Sequence, residues 1–212
     1  MTELGIPAGE LRVSWYLPQT ECLGPGRRFA LWTQGCFRRC SGCIASALQD
    51  PQGGMLISAD SMADAILSAP DIEGVTVSGG EPFLQAETLG AMLHRVRTER
   101  PALGVIVYTG YCYEELLAEP AAQPLLRETD LLIDGAYVRE LDDGRGMRGS
   151  SNQRLLHLTD RYRDAALPEN RKTELRLKGG TMRMIGIPSE AAKEMLTLLR
   201  QGALPPARGS AP

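Results

Sequence analysis

The sequence predicts an α/β fold, in which short strands alternate with helices. Segments 74–78, 104–109 and 131–134 have strand-like composition, and segments with helical periodicity separate them. Such alternation is typical of βαβ units, whose parallel strands are buried beneath helices. The chain has 212 residues, 43% of them hydrophobic, which is enough for one domain with its own core. We therefore expect a single domain built on a parallel sheet.

Two further strands are predicted near the N-terminus, at 11–17 and 28–34. Both segments are rich in β-branched and aromatic residues, which favour strands. Gly24-Pro25-Gly26 between them is a turn signal. Three helices are predicted where apolar residues recur on one face, at 58–69, 85–99 and 113–118. Ser58 suits the N-cap of the first.

The last third of the chain changes character. Residues 142–152 are glycine-rich and polar, which predicts a loop. A hairpin is predicted for 173–178 and 182–187, which Gly179-Gly180 separates. An amphipathic helix is predicted for 189–201.

Composition indicates how the chain is divided into domains, and it argues against several classes of function. We assign 1–202 to one domain and 203–212, rich in Pro, Ala and Gly, to a disordered tail. A net charge of −3 argues against nucleic-acid binding, which requires neutralisation of phosphates. No segment has the length and apolarity of a membrane span, and the N-terminus has no signal-peptide pattern. We therefore expect a cytoplasmic protein.

The cysteines indicate an inorganic cofactor. They are Cys22, Cys36, Cys40, Cys43 and Cys112. Their odd number and clustering are not those of a disulfide framework. Cys36, Cys40 and Cys43 form a C-x3-C-x2-C pattern, whose short spacings bring three thiolates to one centre. An iron–sulfur cluster normally takes four cysteines, so three would leave one iron open to a chelating ligand.

Other interpretations of the cysteines are possible. The three could bind zinc, with a fourth ligand from His94, His157, Cys22 or Cys112, although none of these is close in sequence. Cys22 is predicted to be structural. Cys112 is either a buried thiol or a catalytic one.

A glycine-rich turn follows strand 74–78. In Ser78-Gly79-Gly80-Glu81-Pro82 the two glycines allow the backbone to approach a ligand closely. Ligands of parallel α/β sheets bind at the C-terminal ends of the strands, so these residues could hold the ammonium group of an amino-acid ligand. Packing between strand and helix explains such glycines equally well.

Three more residues at strand ends are candidates for cofactor binding. Thr109 ends a predicted parallel strand. Asp134 could accept a hydrogen bond from a ribose hydroxyl, or cap backbone groups in a turn. Asn152 can offer both donors and acceptors to an adenosyl group, or secure its own loop.

The combination of the three-cysteine pattern and the Gly-Gly-Glu-Pro turn resembles the radical S-adenosylmethionine (SAM) superfamily. Within it, the chain is similar to the activating enzymes of anaerobic ribonucleotide reductase. The residues that carry the resemblance are Gly24 to Arg27, Gln34 to Cys36, Cys40 to Cys43, Ser78 to Pro82, Tyr108 to Tyr111, Ile133 to Gly135 and Arg148 to Arg154.

The resemblance implies a fold, a cofactor and a reaction. It implies a partial, open (β/α) barrel, one 4Fe–4S cluster on Cys36, Cys40 and Cys43, and SAM bound at the Ser78–Glu81 turn. It further implies that SAM is cleaved to a 5′-deoxyadenosyl radical, which takes a hydrogen atom from a glycine of a partner protein. The implied electron donor is a flavodoxin or a ferredoxin.

Two departures from the family pattern leave the substrate open. The family usually has Asp where this chain has Leu23, and an aromatic residue followed by Asn-Pro where this chain reads Ile44-Ala45-Ser46. A second hypothesis is therefore a radical SAM enzyme that acts on a small molecule or a peptide. A third, from another class, is a zinc-binding scaffold without redox chemistry.

Overall fold

A computed structural model describes residues 4–178 and 181–200. Within these ranges the strands are β1 (Glu10–Thr20), β2 (Arg28–Thr33), β3 (Met55–Ser58), β4 (Gly74–Gly79), β5 (Gly104–Tyr108), β6 (Leu131–Asp134), β7 (Arg154–His157), β8 (Thr173–Lys178) and β9 (Thr181–Gly186). The helices are α1 (Ala59–Leu67), α2 (Ala86–Glu99), α3 (Tyr113–Ala118), α4 (Gln123–Glu128) and α5 (Glu190–Arg200). The predictions for Gly179-Gly180 and for 203–212 lie outside the described residues.

Seven of the strands form one mixed sheet in the order β3-β1-β2-β4-β5-β6-β7. The four central strands β2, β4, β5 and β6 run parallel to one another. Strand β1 is antiparallel to β2 and β3, and β7 is antiparallel to β6. The sheet is open, with β3 and β7 at its edges. The α/β class is thus confirmed, but the sheet is mixed, whereas the alternation of elements predicted a parallel one.

Helices cover one face of this sheet. Alternate residues of the central strands, such as Val75 and Val77 of β4, point into a core shared with α1, α2 and α4. Leu89 and Leu93 of α2 are fully buried there. Burial of an aliphatic side chain of this size contributes roughly 1.5–3 kcal/mol, so this core is a principal source of the sheet's stability.

Segments from the C-terminal third cover the opposite face, here called the inner face. Met147 and Tyr162 pack on Ile106 of β5. Ile185 of β9 packs on Ala30 and Trp32 of β2. The strands β8 and β9 form a separate two-stranded sheet, which confirms the predicted hairpin.

Arg28 closes the N-terminal end of the parallel strands. The side chain is fully buried, and burial lowers the pKa of its guanidinium. Its five N–H groups nevertheless all have acceptors. These are Thr76 Oγ1 at 2.5 Å, Val75 O at 2.7 Å, Tyr162 Oη at 2.8 Å, Gly104 O at 2.9 Å and Pro25 O at 3.2 Å. The buried polar groups around Arg28 at this end of the sheet are therefore bonded to one another, and the candidate site lies at the other end.

Most predicted elements are present, and three were missed. The strands and helices predicted between residues 11 and 134 match β1, β2, α1, β4, α2, β5, α3 and β6, and the predicted C-terminal helix matches α5. The missed elements are β3, α4 and β7. Strands β3 and β7 are four-residue edge strands without a fully buried residue, so their alternation is weak. Helix α4 is short and has Pro124 in its first turn.

Across residues 4–178 and 181–200, every helix is too short or too polar to cross a bilayer.

Candidate active site

The cysteine segment and the glycine-rich turn lie side by side at the C-terminal ends of β2 and β4. Thr33 of β2 is paired with Gly79 of β4. Beyond the strands, Gly80 N donates to Thr33 O at 2.8 Å, and Glu81 N donates to Gly35 O at 2.9 Å. The residue after Gly35 is Cys36, so the turn is tied directly to the start of the cysteine loop.

Gly79 and Gly80 are required by this close packing. Gly79 has φ +114°, and a Cβ on it would lie 2.4 Å from both the N and the O of Thr33. A Cβ on Gly80 would lie 2.3 Å from Gly35 O. Neither position has room for a side chain, so both glycines have a packing role. Contact of these glycines with SAM stays a prediction.

The cysteine loop, residues 36–43, turns back on itself with few internal hydrogen bonds. Cys36 N donates to Gln49 O at 3.1 Å, and Cys43 N donates to Cys40 O at 3.2 Å. Arg39 has a left-handed backbone conformation, with φ 47°. All three cysteines are half-buried, so part of each remains accessible to a ligand.

The three thiols are close enough to influence one another. Burial raises the pKa of Cys36, while backbone N–H groups of Arg38 and Arg39 bond to its sulfur and oppose the rise. Burial likewise raises the pKa of Cys43, and the neighbouring Cys40 raises it further. Amide hydrogen bonds to thiolate sulfur are a normal feature of iron–sulfur sites, so this donor set fits such a cluster.

Three of the four residues considered as a fourth ligand have another role. Cys22 lies beside Leu23 and Trp32 on the inner face, Cys112 caps α3, and His94 pairs with Glu128 at 2.9 Å. His157 lies in β7, opposite Leu131 of β6, and its Nδ1 is buried without a hydrogen-bond partner. Among the described residues, no three His, Cys, Asp or Glu side chains are arranged to hold a single metal ion. This finding includes Cys36, Cys40 and Cys43, so the preference for a cluster with one open iron over a closed zinc site rests on the cysteine spacing and stays a prediction.

Arg38 connects the cysteine loop to the end of β5. Its Nη2 lies 2.9 Å from Glu115 Oε2, and its guanidinium lies 4.1 Å from the centre of the Tyr111 ring. A cation stacked on an aromatic ring and paired with a carboxylate is held in one place. Arg38 therefore ties the cysteine loop to the segment that follows β5.

Glu81 joins the ends of β4 and β5. Its carboxylate is only 1% exposed and accepts from Thr109 Oγ1 at 2.8 Å, Phe83 N at 3.0 Å and Gly110 N at 2.8 Å. Burial raises the pKa of Glu81, and these donors oppose the rise. The hydroxyl of Thr109, a predicted cofactor contact, is thus engaged inside the protein.

Asp134 and Asn152 continue the same edge at the ends of β6 and β7. Asp134 is 1% exposed, accepts from Tyr113 N at 2.7 Å and forms an ion pair with Arg154. Arg154 also bonds Glu114 and holds the pKa of that carboxyl at about 2. Asn152 donates to Ala136 O at 2.8 Å. The structure thus gathers Ser78–Glu81, Thr109, Asp134 and Asn152 along one edge, and their contacts with SAM stay predictions.

Sequence reasoning missed the residues that bind this edge together. The Glu81–Thr109 hydrogen bond and the Arg38–Tyr111 contact each join residues far apart in the chain. No local pattern marks such pairs. They meet because of the order of the strands in the sheet, which no single segment of the sequence encodes.

Comparison with known proteins agrees with this geometry. A family model described as "4Fe-4S single cluster domain" matches residues 22–156. The anaerobic ribonucleoside-triphosphate reductase-activating protein of Vibrio cholerae is 33% identical over 152 residues, which cover 68% of this chain and 96% of that protein. The protein of the same name from Haemophilus influenzae is 34% identical over 152 residues, 67% of this chain and 94% of that one.

The protein of that name from phage T4 is 30% identical over 141 residues, which cover 65% of this chain and 88% of the phage protein. The family match includes Cys36, Cys40 and Cys43 as well as the Ser78–Glu81 turn. The chain therefore belongs to the 4Fe–4S single-cluster family and, within it, to the radical SAM activases related to the anaerobic ribonucleoside-triphosphate reductase-activating proteins.

Proposed function

We propose that this protein binds one 4Fe–4S cluster through Cys36, Cys40 and Cys43 and uses SAM to activate a glycyl-radical protein. When bound and reduced, such a cluster supplies the electron that cleaves SAM to methionine and a 5′-deoxyadenosyl radical. The observation that carries the proposal is the pairing of β2 with β4, which brings the start of the cysteine loop, at Gly35 and Cys36, beside the Gly79-Gly80 turn.

The protein's own residues have three tasks in this proposal. The cysteine loop provides three thiolates and no fourth, so one iron is left for the amine and carboxylate of SAM. Backbone carbonyl groups of the Ser78–Glu81 turn accept from the amine. The buried network of Glu81 fixes this turn against β5, so that it need not reorganise when SAM binds.

Binding of the adenosyl end of SAM is assigned to the remaining candidate residues. Thr109, Asp134 and Asn152 follow one another along the edge in strand order, from β5 to β7. The adenosyl group would lie along this edge and contact them. Thr109 and Asp134 are bonded to protein partners, so we expect them mainly to shape the surface. The exposed Asn152 is the most accessible of the three.

The substrate is proposed to be a glycine in a partner protein. The relatives are named as activators of a reductase, and an open sheet leaves an edge through which a loop of another protein could enter. We regard this sheet as the partial barrel of the superfamily. A flavodoxin or ferredoxin is the proposed electron donor.

Leu23, one of the two departures that motivated a small-molecule substrate, has a packing explanation. Leu23 is buried against Ala30 and Trp32, and it also contacts Ile185 of the C-terminal hairpin. An apolar residue is needed there because the hairpin covers it. The Leu23 departure therefore gives no support to a different substrate, and the activase remains the better proposal.

The proposal is tested in two steps with anaerobically reconstituted protein. Dithionite and SAM should yield 5′-deoxyadenosine and methionine, with Cys40→Ala protein as the inactive control and Cys112→Ala as the active one. Addition of a glycyl-radical protein encoded beside this gene should then give a glycyl doublet in the EPR spectrum. A reconstituted protein that leaves SAM intact would refute the radical chemistry, and a doublet missing with that partner would refute the activase.

A further inference from the structure

The C-terminal segment, residues 157–200, follows the part of the chain that the family model matches. It is nevertheless packed against the family domain at several points. Gly146 N donates to Glu169 O at 2.7 Å, and Ile185 is almost completely buried beside Trp32. The segment is thus an integral layer over the inner face.

This segment contacts the loop of residues 142–153, here called the edge loop, at the end of the sheet that holds the candidate site. The hydrogen bond from Gly146 N to Glu169 O is one such contact. The edge loop is bonded to the end of β6 by two amide side chains. Gln153 Nε2 donates to Gly135 O at 2.7 Å, and its Oε1 accepts from Gly149 N at 2.7 Å. Asn152 donates to Ala136 O.

Arg171 of the C-terminal segment holds the outer side of the same loop. Its side chain is 2% exposed, and its Nη2 lies 2.7 Å from Asp142 Oδ1. The same nitrogen donates to Arg148 O at 2.8 Å and Gly149 O at 2.9 Å. Gly149 is therefore bonded through its N–H to Gln153 and through its carbonyl to Arg171.

A buried guanidinium suits this position better than other cations. Arg171 Nη2 contacts the carboxylate and the two carbonyl groups, while Nη1 donates to Pro188 O at 3.1 Å. A planar fork can serve both sets of acceptors at once, whereas an ammonium group acts as a single point charge. Asp142 also accepts from Lys193 Nζ at 3.3 Å and Tyr137 Oη at 3.3 Å. Gly144 N donates to the same carboxylate at 3.1 Å. Removal of Arg171 would therefore take from the largely buried Asp142 carboxylate its shortest contact, and would leave two carbonyl groups without this donor.

We propose that Arg171 is a positioning residue for SAM, which acts by holding the edge loop against β6 so that Asn152 faces the adenosyl group. The inference rests on the proposed function, because it assumes that SAM lies along this edge. It also assigns a role in the reaction to a segment outside the family match. Arg171 itself touches neither SAM nor the cluster in this proposal.

The test compares full-length Arg171→Met, Arg171→Lys and Asp142→Asn with the wild type. The matched control is Arg163→Met, because Arg163 lies in the same segment but forms an exposed ion pair with Asp160. Each reconstituted protein is assayed for iron content, for SAM affinity and for amide hydrogen exchange of residues 143–151 without SAM. These readouts separate cluster assembly, cofactor binding and loop order.

Arg171→Met should keep its iron, exchange faster in the edge loop and bind SAM about tenfold or more weakly, since small displacements of binding groups are costly. Arg171→Lys should lie between it and the wild type, Asp142→Asn should resemble Arg171→Met, and Arg163→Met should match the wild type. Wild-type SAM affinity in Arg171→Met and Asp142→Asn would overturn the positioning role alone. A wild-type protein that binds no SAM would overturn the proposed function as well.

Discussion

The two sides of the candidate site differ in how many of their polar groups are hydrogen-bonded to other atoms of the protein. One side is the cysteine loop, residues 36–43, with half-buried thiols and few hydrogen bonds of its own. The other, here called the braced side, comprises the Ser78–Pro82 turn and the edge loop. There the Glu81 carboxylate accepts hydrogen bonds from three donors, and Gly149 is hydrogen-bonded through both its N–H and its carbonyl group.

This difference indicates which parts of the site need a cofactor in order to become ordered. Buried polar groups that have partners hold their geometry without a ligand. The Cys36 and Cys43 thiols have hydrogen bonds only from their own part of the chain. We expect such a loop to gain its final geometry from the metal centre that it binds, and binding then contributes to its stability. We expect the braced side to be preformed in the apoprotein and the cysteine loop to be completed by the cluster.

The largest effect is expected from Cys36→Ala, Cys40→Ala or Cys43→Ala. Each should abolish the brown chromophore of the reconstituted protein, because a cluster on two protein thiolates is not retained. The apoproteins should unfold in urea within about 1 kcal/mol of the wild type, because half-buried surface positions contribute little. Cys22→Ala and Cys112→Ala should retain the chromophore. About four irons bound to Cys40→Ala would contradict the assignment.

A smaller effect is expected from Glu81→Gln on the braced side. The amide group would direct either its NH2 or its single oxygen at the N–H of Gly110, and one donor in the network would lose its acceptor. An unsatisfied buried donor costs about 1–3 kcal/mol, so we expect a loss of about 2 kcal/mol in the free energy of unfolding of the apoprotein. Glu87→Gln, on the exposed side of α2, is the control. Equal stability of the two variants would mean that the turn is not preformed.

The smallest effect is a pH dependence from Asp142. Burial disfavours its charge, but hydrogen bonds from Arg171, Gly144 and Lys193 outweigh burial and lower the pKa of the carboxyl. A lowered folded-state pKa gives stability that is present above the ordinary aspartate pKa of about 3.9 and lost as pH falls through the folded value.

Asp142→Asn should therefore be less stable than the wild type by about 1 kcal/mol at pH 7, and the difference should shrink toward pH 3. Urea unfolding of both apoproteins at pH 7, 5 and 3 measures it. A difference that stays constant with pH would show that the Asp142 charge does not stabilise the edge loop.

Sequence reasoning succeeded where local patterns carry the information. The C-x3-C-x2-C spacing and the Gly79-Gly80 turn were found from their own residues, and α2 was found from its apolar face. It missed β3 and β7 because edge strands have no second buried neighbour to impose alternation. It also predicted a parallel sheet, since nothing local distinguishes β1, which runs antiparallel to β2, from a parallel strand.

By itself, the sequence determined the chemistry that this protein can hold: three thiols at short spacing, a turn that only glycine can form, and strands apolar enough to be buried. The tertiary structure decided which of these groups meet. The pairing of β2 with β4 places the turn beside the cysteines, and the return of the C-terminal segment brings Arg171 to Asp142. Such contacts depend on strand order and on long-range packing, because the partners are far apart in the chain and no short pattern encodes their meeting.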